Sequence, residues 1–356
     1  MKKIYSKNSL LVSALLLLLF SSCKVEFSPN GPWNEIPVVY CVLDQGDDTT
    51  YVRVQHCYLA EGNQYQYASV PDSIYYPQDA LTVQLEAWNT WRDDMGVSHR
   101  YGESPAQVFT FNYTEQYDKE EGQFTTQRHP VYYYPTAGLL DSNKIYRLVI
   151  IKNASGDTLA TAETGLVCGN MSMVSPNNTL GFNFSGVGNN KTCNISWTSL
   201  KLARQYQPIV RFYYRDFIVN QLSPTTLDTV LVPHYIDIPC PVKKSNVNPG
   251  VALSVLLEQS TFLNTIKENI DNPTVTKNIR DTVDIFVYCA TEDLAAYIYA
   301  STPSDGINQE RQTYSNINGG LGVFAARRTH IVFTVHAPAS ATSDYKKKLK
   351  ELGVGF

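Results

Sequence analysis

Apolar and polar residues alternate along most of this chain, which is the pattern of strands with one buried face. The alternation is clearest at residues 81–87, where Leu81, Val83 and Leu85 share one face. Polar turn clusters separate residues 37–43 from 51–57, and 143–151 from 157–163, which predicts two hairpins. The pattern therefore predicts a mostly β fold.

The second half of the chain continues this pattern. Strands are predicted at residues 193–197, 209–214, 229–232, 234–238, 251–257, 282–290 and 330–335. Helical periodicity is confined to residues 260–270, 291–296 and 343–352. The last of these carries three consecutive lysines, which we interpret as a solvated face rather than a membrane-binding one.

A length of 356 residues suggests two domains. We expect an N-terminal β-sandwich at 36–168 and a C-terminal β domain with short helices at 169–356. Tyr146 enters a late strand and resembles the corner tyrosine of immunoglobulin or fibronectin sandwiches, although an ordinary strand tyrosine is an equally good interpretation. Trp197 and Tyr206 resemble the early strands of a fibronectin type III domain. The predicted fold class is thus two immunoglobulin/fibronectin-III-like β-sandwich modules.

The N-terminus predicts export. Lys2 and Lys3 precede an apolar run at 10–20, which is shorter than the ~20 residues that cross a bilayer. The run ends at Phe20-Ser-Ser-Cys23, which resembles a bacterial lipobox. The resemblance implies a signal peptide at 1–22, acyl chains such as palmitate on Cys23, and a tether at 23–35. The alternative is an ordinary cleaved signal before a chance cysteine.

Lys24 follows the predicted lipidated cysteine and disfavours inner-membrane retention. We therefore expect a protein anchored to the outer membrane through its acyl chains, in either leaflet. The net charge is −4, and removal of the signal peptide with its lysines would make it more negative. That balance argues against a nucleic-acid partner.

Composition excludes a disordered chain, because 43% of residues are hydrophobic and only 17% are charged, against ~25% in average proteins. Six cysteines besides Cys23 would allow 15 disulfide pairings, which the sequence leaves open. Cys41 and Cys289 lie in apolar strands, which favours packing over bridging. The six are Cys41, Cys57, Cys168, Cys193, Cys240 and Cys289.

Motifs for chemistry are missing from the sequence. It contains no His-Glu-x-x-His, Gly-x-Ser-x-Gly or phosphate-loop motif, so we predict no catalytic residue, metal or cofactor, and no enzyme. Asp44, Asp47 and Asp48 are candidate calcium ligands, but the loop lacks the length and glycine spacing of an EF-hand.

Aromatic residues form one candidate binding patch, made of Trp88, Trp91, Tyr132, Tyr133 and Tyr134. Aromatic rings anchor sugars and protein partners because they offer a large rigid area. Positions 88 and 91 of one strand point to opposite faces, so core packing is the favoured interpretation for the two tryptophans. The tyrosine run is harder to bury and predicts a surface rim.

Asp-Ser/Thr triplets recur and resemble the O-glycosylation motif of exported Bacteroidota proteins. The candidate acceptors are Thr49, Ser73, Thr158, Thr229 and Thr282. The alternative interpretation is a turn that enters a strand.

Four segments together resemble a family of Bacteroidota outer-membrane lipoproteins that carry a domain of unknown function and are often encoded beside TonB-dependent receptors. They are residues 38–55, 71–77, 197–206 and 314–324. In the last segment, Gly319, Gly320 and Gly322 predict positive φ or close backbone approach. The family has no established activity, so the resemblance implies location and architecture only.

These observations favour a non-enzymatic accessory or binding protein that works with an outer-membrane receptor or a polymeric ligand. A fimbrillin-like filament subunit is the alternative, which would need a removable edge strand and a protease site after an early basic residue. Arg53 is the first arginine and lies in a predicted hairpin, which disfavours that role. A hydrolase with an unrecognised site is the third interpretation, and two carboxylates facing one cleft would support it.

Overall fold

The structure is a computed structural model, which describes residues 35–58, 64–68, 70–92, 98–117, 129–177, 179, 181–188, 190–223, 226–302 and 313–356. For residues 64–65, 220–223 and 226–228 it describes the backbone only. The predicted signal peptide, Cys23 and all of the tether before Glu35 lie outside the described residues.

The described chain is mostly β, as the alternating pattern predicts. The strands are β1 Pro37–Asp44, β2 Thr49–His56, β3 Leu81–Arg92, β4 Ser98–Tyr101, β5 Gln107–Thr110, β6 Asn112–Thr114, β7 Val131–Pro135, β8 Ile145–Lys152, β9 Thr158–Gly165, β10 Met173–Ser175, β11 Thr192–Thr198, β12 Gln205–Ser223, β13 Thr226–Pro239, β14 Lys243–Lys244, β15 Ala252–Glu258, β16 Lys277–Ala290, β17 Leu321–Arg328 and β18 Val332–His336. The helices are α1 Gln64–Ala68, α2 Gln259–Asn269, α3 Glu292–Ser301 and α4 Ala339–Glu351, with one 3₁₀ turn at Pro71–Ser73.

The described strands form three sheets. The largest has ten strands in the order β13-β12-β16-β17-β1-β2-β7-β6, with β14 paired to β12 and β18 paired to β16. A five-stranded sheet has the order β4-β3-β8-β9, with β5 paired to β3, and a three-stranded sheet has the order β10-β11-β15. The large sheet runs through both modules, because β17 pairs with β1 along its length and with the end of β16.

The first core lies between β1, β2 and β7 of the large sheet and the five-stranded sheet. The predicted alternation of β3 is confirmed, since Leu81, Val83 and Leu85 are buried while the residues between them are partly exposed. Val39 and Leu43 of β1 face them in the same cluster. Complete burial of one such side chain contributes about 1.5–3 kcal/mol.

The second core lies between β12, β13 and β16 and a layer made of the three-stranded sheet, α2 and α4. Trp197 is fully buried there, with its ring centroid 5.7 Å from that of Tyr206. Helix α2 contributes Phe262 and α4 contributes Tyr345, whose ring centroids are 5.3 Å apart. The basic residues of α4 lie outside its buried face, and that face packs on this core.

Each module has a tyrosine whose hydroxyl bonds back to the chain just before its strand. Tyr146 Oη accepts from the backbone N–H of Asp141 at 2.6 Å, which confirms the predicted corner. Tyr206 Oη accepts from the backbone N–H of Leu200 at 2.9 Å. The two modules thus share one local device for fixing a strand entry, while the finer assignment to immunoglobulin or fibronectin topology stays a prediction.

The glycine-rich segment at 314–324 returns to the first module. Ile317, Phe324 and Ala326 pack in the first core, although they lie within the range predicted for the second. Gly322 has φ +112, and a Cβ there would lie 2.0 Å from the carbonyl oxygen of Val39. The predicted close approach is therefore confirmed. Local periodicity did not reveal the parallel partner of a strand almost 300 residues away.

Strand β13 differs from the sequence prediction, which placed two strands on either side of Pro233. One strand runs through this proline and pairs with β12 from end to end. β13 is the outer strand of the large sheet, and an edge position tolerates a residue that lacks an N–H.

Candidate functional site

The large sheet presents an ordered polar surface in the second module, on the side opposite the core. We call it the arginine–tyrosine face, and it consists of Arg211, Tyr213, Tyr235, Asp237, Arg280 and Asp284. These side chains come from three neighbouring strands, since Arg211 pairs with Asp237 of β13 and with Asp284 of β16. Along each strand they alternate with buried residues such as Val210 and Phe212, so they share the outer side of the sheet.

Arg211 is the centre of this face. Its guanidinium makes two bonds to the Asp237 carboxylate, at 2.7 and 2.8 Å. The guanidinium carbon also lies 4.1 Å from the ring centroid of Tyr235 and 4.5 Å from that of Phe286. The hydrogen bond to Asp237 raises the pKa of Arg211, so the charge is fixed at every working pH. Paired and stacked in this way, Arg211 holds the surface rigid.

Asp284 orders the next row. It accepts from the hydroxyl of Tyr213 at 2.6 Å and from that of Thr334 at 2.6 Å. Burial, together with this bond to Asp284, raises the pKa of Tyr213. The phenol therefore stays a neutral donor well above pH 7.

The arginine–tyrosine face is open to solvent. Tyr235 is 57% exposed, and the two helices of the second module, α2 and α4, pack on the core side of the sheet instead. In the first module, by contrast, α3 packs on the outer side of β17. A rigid, aromatic and charged surface without a covering layer is suited to binding a partner.

The hairpin of β12 and β13 extends beyond this face as a two-stranded arm. β12 pairs with β16 only as far as Asp216, opposite Lys277, and then continues with β13 alone. Four apolar side chains of the arm are exposed, those of Ile218, Val219, Val230 and Leu231, whereas Phe217 is half-buried. Isolated hairpins are marginally stable in water, so the arm depends on its base or on a partner.

A buried ion pair fixes the base of the arm. Lys277 Nζ lies 2.6 Å from Asp216 Oδ1 and donates to the carbonyl of Asn272 at 2.9 Å, and both charged side chains are almost completely buried. His234 Nε2 lies 3.3 Å from the other Asp216 oxygen. Every charge in the cluster has a partner, as burial requires. We interpret the cluster as structural.

The predicted aromatic patch is not one surface. Trp88 is buried and donates to Glu86 at 2.8 Å, whereas Trp91 is 49% exposed and stacks on His99. Core packing, the favoured interpretation for both tryptophans, is therefore wrong for Trp91. Tyr132 is buried, contrary to a rim position for the whole tyrosine run, because β7 alternates between the core and solvent. Tyr133 and Tyr134 are half-buried.

The candidate glycosylation sites differ in accessibility. Thr158 and Thr229 are exposed, and Thr49 and Ser73 are half-buried. The hydroxyl of Thr282 is buried, which leaves no room for a glycan. Attachment at the other four sites stays a prediction.

Asp44, Asp47 and His330 lie close enough together to share an ion. Asp44 is already saturated, since it accepts from the backbone N–H of Gly46 at 3.0 Å and from the hydroxyl of Thr329 at 2.7 Å. Arg327 also lies 3.2 Å from Asp47 and brings a positive charge into the cluster. The cluster is suited to fixing the end of β1 rather than to holding a cation.

A cleft of about 310 Å³ lies where the two modules meet. Three carboxylates line it, those of Glu163, Glu292 and Asp293. Glu163 pairs with Arg100 at 2.7 Å, and Asp293 accepts from the hydroxyl of Tyr314. The condition set for the hydrolase interpretation, carboxylates facing one cleft, is therefore met, although two of them already have partners.

All six described cysteines are free thiols. Burial raises the pKa of the Cys193, Cys240 and Cys289 thiols to about 12, and raises that of Cys41 further. Cys57 and Cys168 are partly exposed. The four buried thiols are thus packing residues, as the apolar context of Cys41 and Cys289 indicates.

No protein-family model matches the chain, and no curated protein matches it. Among the described residues, no helix combines the length and apolar character that crossing a membrane requires.

The sequence analysis missed the arginine–tyrosine face. Its signal is the alternation of Arg211, Tyr213 and Arg215 with buried residues, repeated by Arg280, Asp284 and Phe286. Such alternation indicates an outward face only when the neighbouring strands are known, and β13, β12 and β16 are neighbours through long-range pairing.

Proposed function

We propose that this chain is a non-enzymatic binding protein, anchored to the outer membrane by acyl chains on Cys23, whose binding surface is the arginine–tyrosine face. The observation that carries the proposal is the rigid, uncovered set of Arg211, Tyr235 and Asp237. Large aromatic and arginine side chains dominate the energetics of binding surfaces. The partner is an outer-membrane receptor or its polymeric ligand, in line with the resemblance to lipoproteins encoded beside TonB-dependent receptors.

The position of the face supports this role. The described chain begins at Glu35, beside the start of β1, which pairs with the start of β17. The other end of β17 pairs with the end of β16. β16 then continues in the same direction as far as Asn278, which is opposite Arg215. At ~3.3 Å per residue the two strands span roughly 60 Å. The face thus lies along the sheet away from Glu35, the first described residue after the predicted tether.

The test is an affinity capture of the tagged, lipidated full chain from outer membranes, followed by mass spectrometry. We expect recovery of one β-barrel receptor by the wild type and its loss from a Tyr235→Ala, Arg211→Gln double variant. Arg92→Gln, which removes an exposed arginine of the first module, serves as the matched control. Equal recovery by the double variant would contradict the proposal. A Cys23→Ser variant should leave the membrane fraction.

A filament subunit is the alternative. It requires a first strand that can be removed, and β1 lies between β17 and β2, paired on both sides. That position weighs against the role, because removal of β1 would split the large sheet. Ladders of self-assembled chain in the same capture experiment would favour the filament over the binding protein.

A hydrolase that uses the cleft between the modules is the third candidate, supported by its three carboxylates. Within the described part of the chain the Glu292 carboxylate makes no hydrogen bond or ion pair, so it would be the acid or base. Turnover of polysaccharide or peptide substrates that disappears in Glu292→Gln would establish this activity and overturn the non-enzymatic proposal.

A further inference from the structure

Strand β16 bulges where it passes β12. Phe212 pairs with Val283, but Tyr214, two residues later, pairs with Ile279, four residues earlier. Residues 280–282 are therefore set outside the regular ladder. Beside them opens a cleft of about 350 Å³, lined by Arg215, Asn278, Ile279, Arg280 and Asp281. A bulge of this kind reorients side chains and is common beside functional sites.

Two arginines border this cleft. The guanidinium carbon of Arg280 lies 5.0 Å from the ring centroid of Tyr213, whose hydroxyl is held by Asp284. Arg280 is therefore positioned by the same ordered rows that build the arginine–tyrosine face. Arg215 of the neighbouring strand β12, which pairs with Asn278, also lines the cleft.

Neither arginine is neutralised in the way that Arg211 is. The Arg211 guanidinium donates two hydrogen bonds to Asp237. No ion pair joins Arg215 or Arg280 to any carboxylate within the described part of the chain. Asp281 lines the same cleft, so the two guanidinium charges outweigh one carboxylate. The arginines thus keep free N–H donors that are directed by the sheet.

We infer that this cleft binds an oxyanion, a carboxylate or phosphate group, carried by the ligand of the arginine–tyrosine face. The guanidinium fork matches both groups through paired N–H donors. The volume is at the lower end of that of small-molecule sites, which suits one charged group of a larger ligand. The inference rests on the proposed function and names the chemistry that the face recognises.

The experiment is isothermal titration of the full chain, in detergent at fixed ionic strength, with inorganic phosphate and separately with glutarate. We expect saturable millimolar binding of at least one of them. Saturation by phosphate alone would identify a tetrahedral group, saturation by glutarate alone a planar one, and each result supports the site.

Variants locate the binding. Arg280→Gln and Arg215→Gln should each weaken it about tenfold or more, because a hydrogen bond to a charged group is lost. Asp281→Asn should tighten it, an effect opposite in sign that damage to the fold would not produce. Arg92→Gln, which changes an exposed arginine of the first module, should leave it unchanged.

Two results would overturn the inference. One is no saturable binding of either probe by the wild type, and the other is binding that Arg280→Gln and Arg215→Gln leave unaltered. Either result leaves the proposed function to be judged by the capture experiment, since that experiment depends on Arg211 and Tyr235 rather than on the cleft.

Discussion

The outer side of the large sheet differs between the two modules. In the first module, α3 covers it, and Tyr297 of α3 packs edge-on against Tyr40 of β1 with ring centroids 5.9 Å apart. In the second module the same side is open, and its charges pair with one another across three strands. One continuous sheet is therefore covered at one end and open at the other, where we propose that it binds a partner.

The largest effect on stability is expected at the seam between β1 and β17, which lies beneath the covering helix α3. Gly322→Ala would place a Cβ against the carbonyl of Val39 at a φ that side chains rarely adopt, and so would force β17 away from β1. We expect a loss of at least about 3 kcal/mol in the free energy of unfolding, measured by urea denaturation. Gly138→Ala is the matched control, because Gly138 also has positive φ but has open space around it. A similar small loss in both variants would contradict this account of the seam.

A second comparison uses two cations three residues apart on β16. Lys277→Met leaves the Asp216 carboxylate buried with one partner fewer, and we expect a loss of about 3–5 kcal/mol. Arg280→Gln, on the open face, should change stability by no more than about 0.5 kcal/mol. Chemical denaturation of both variants provides the measurement, and equal losses would show that the two sides of the sheet are not used differently.

The covering helix offers a third test. Tyr297→Ala removes the ring that packs on Tyr40, and we expect a loss of about 1–2 kcal/mol in thermal or urea unfolding. Tyr299 lies on the same helix but is 62% exposed, so Tyr299→Ala should cost much less. If Tyr299 mattered more than Tyr297, α3 would not be a cover for the first module.

The smallest effect is expected at Tyr146 and Tyr206, the corner tyrosines that the two modules have in common. Burial raises the pKa of both corner tyrosines, Tyr146 and Tyr206, to about 12. A folded-state pKa above the unfolded value stabilises the neutral form, so their contribution is complete below the ordinary value of about 10 and is lost as pH rises through 12. A titration of absorbance at 295 nm, followed with circular dichroism, should show late ionisation that Tyr146→Phe and Tyr206→Phe each diminish. Ionisation of every tyrosine near pH 10 in the folded protein would contradict a raised pKa for Tyr146 and Tyr206.

Local signals in the sequence were enough for much of this structure. The alternation at 81–87, the corner at Tyr146 and the buried ring of Trp197 each depend on neighbours along the chain, and each was predicted. Gly322 was predicted to need close approach, because only glycine permits it, but its partner Val39 was not identified. Pairing between strands so far apart leaves no trace in local periodicity.

The candidate site shows the same limit more strongly. Trp88 and Tyr132 were included as binding residues because of their type, yet burial removes both from the surface. Arg211, Tyr235 and Arg280 come from three separate strands and become one surface only through long-range pairing. Their residue types alone gave no reason to group them.

Hydroxyl-radical footprinting of the lipidated chain, compared between intact outer membranes and purified protein, tests the central claim most directly. We predict that membranes protect Tyr213 and Tyr235 of the arginine–tyrosine face, together with the neighbouring Phe286. Oxidation of exposed Trp91 and Tyr101 in the first module should stay the same. Equal oxidation of the open face in both samples, or protection confined to the first module, would contradict the claim that this face is where the protein binds.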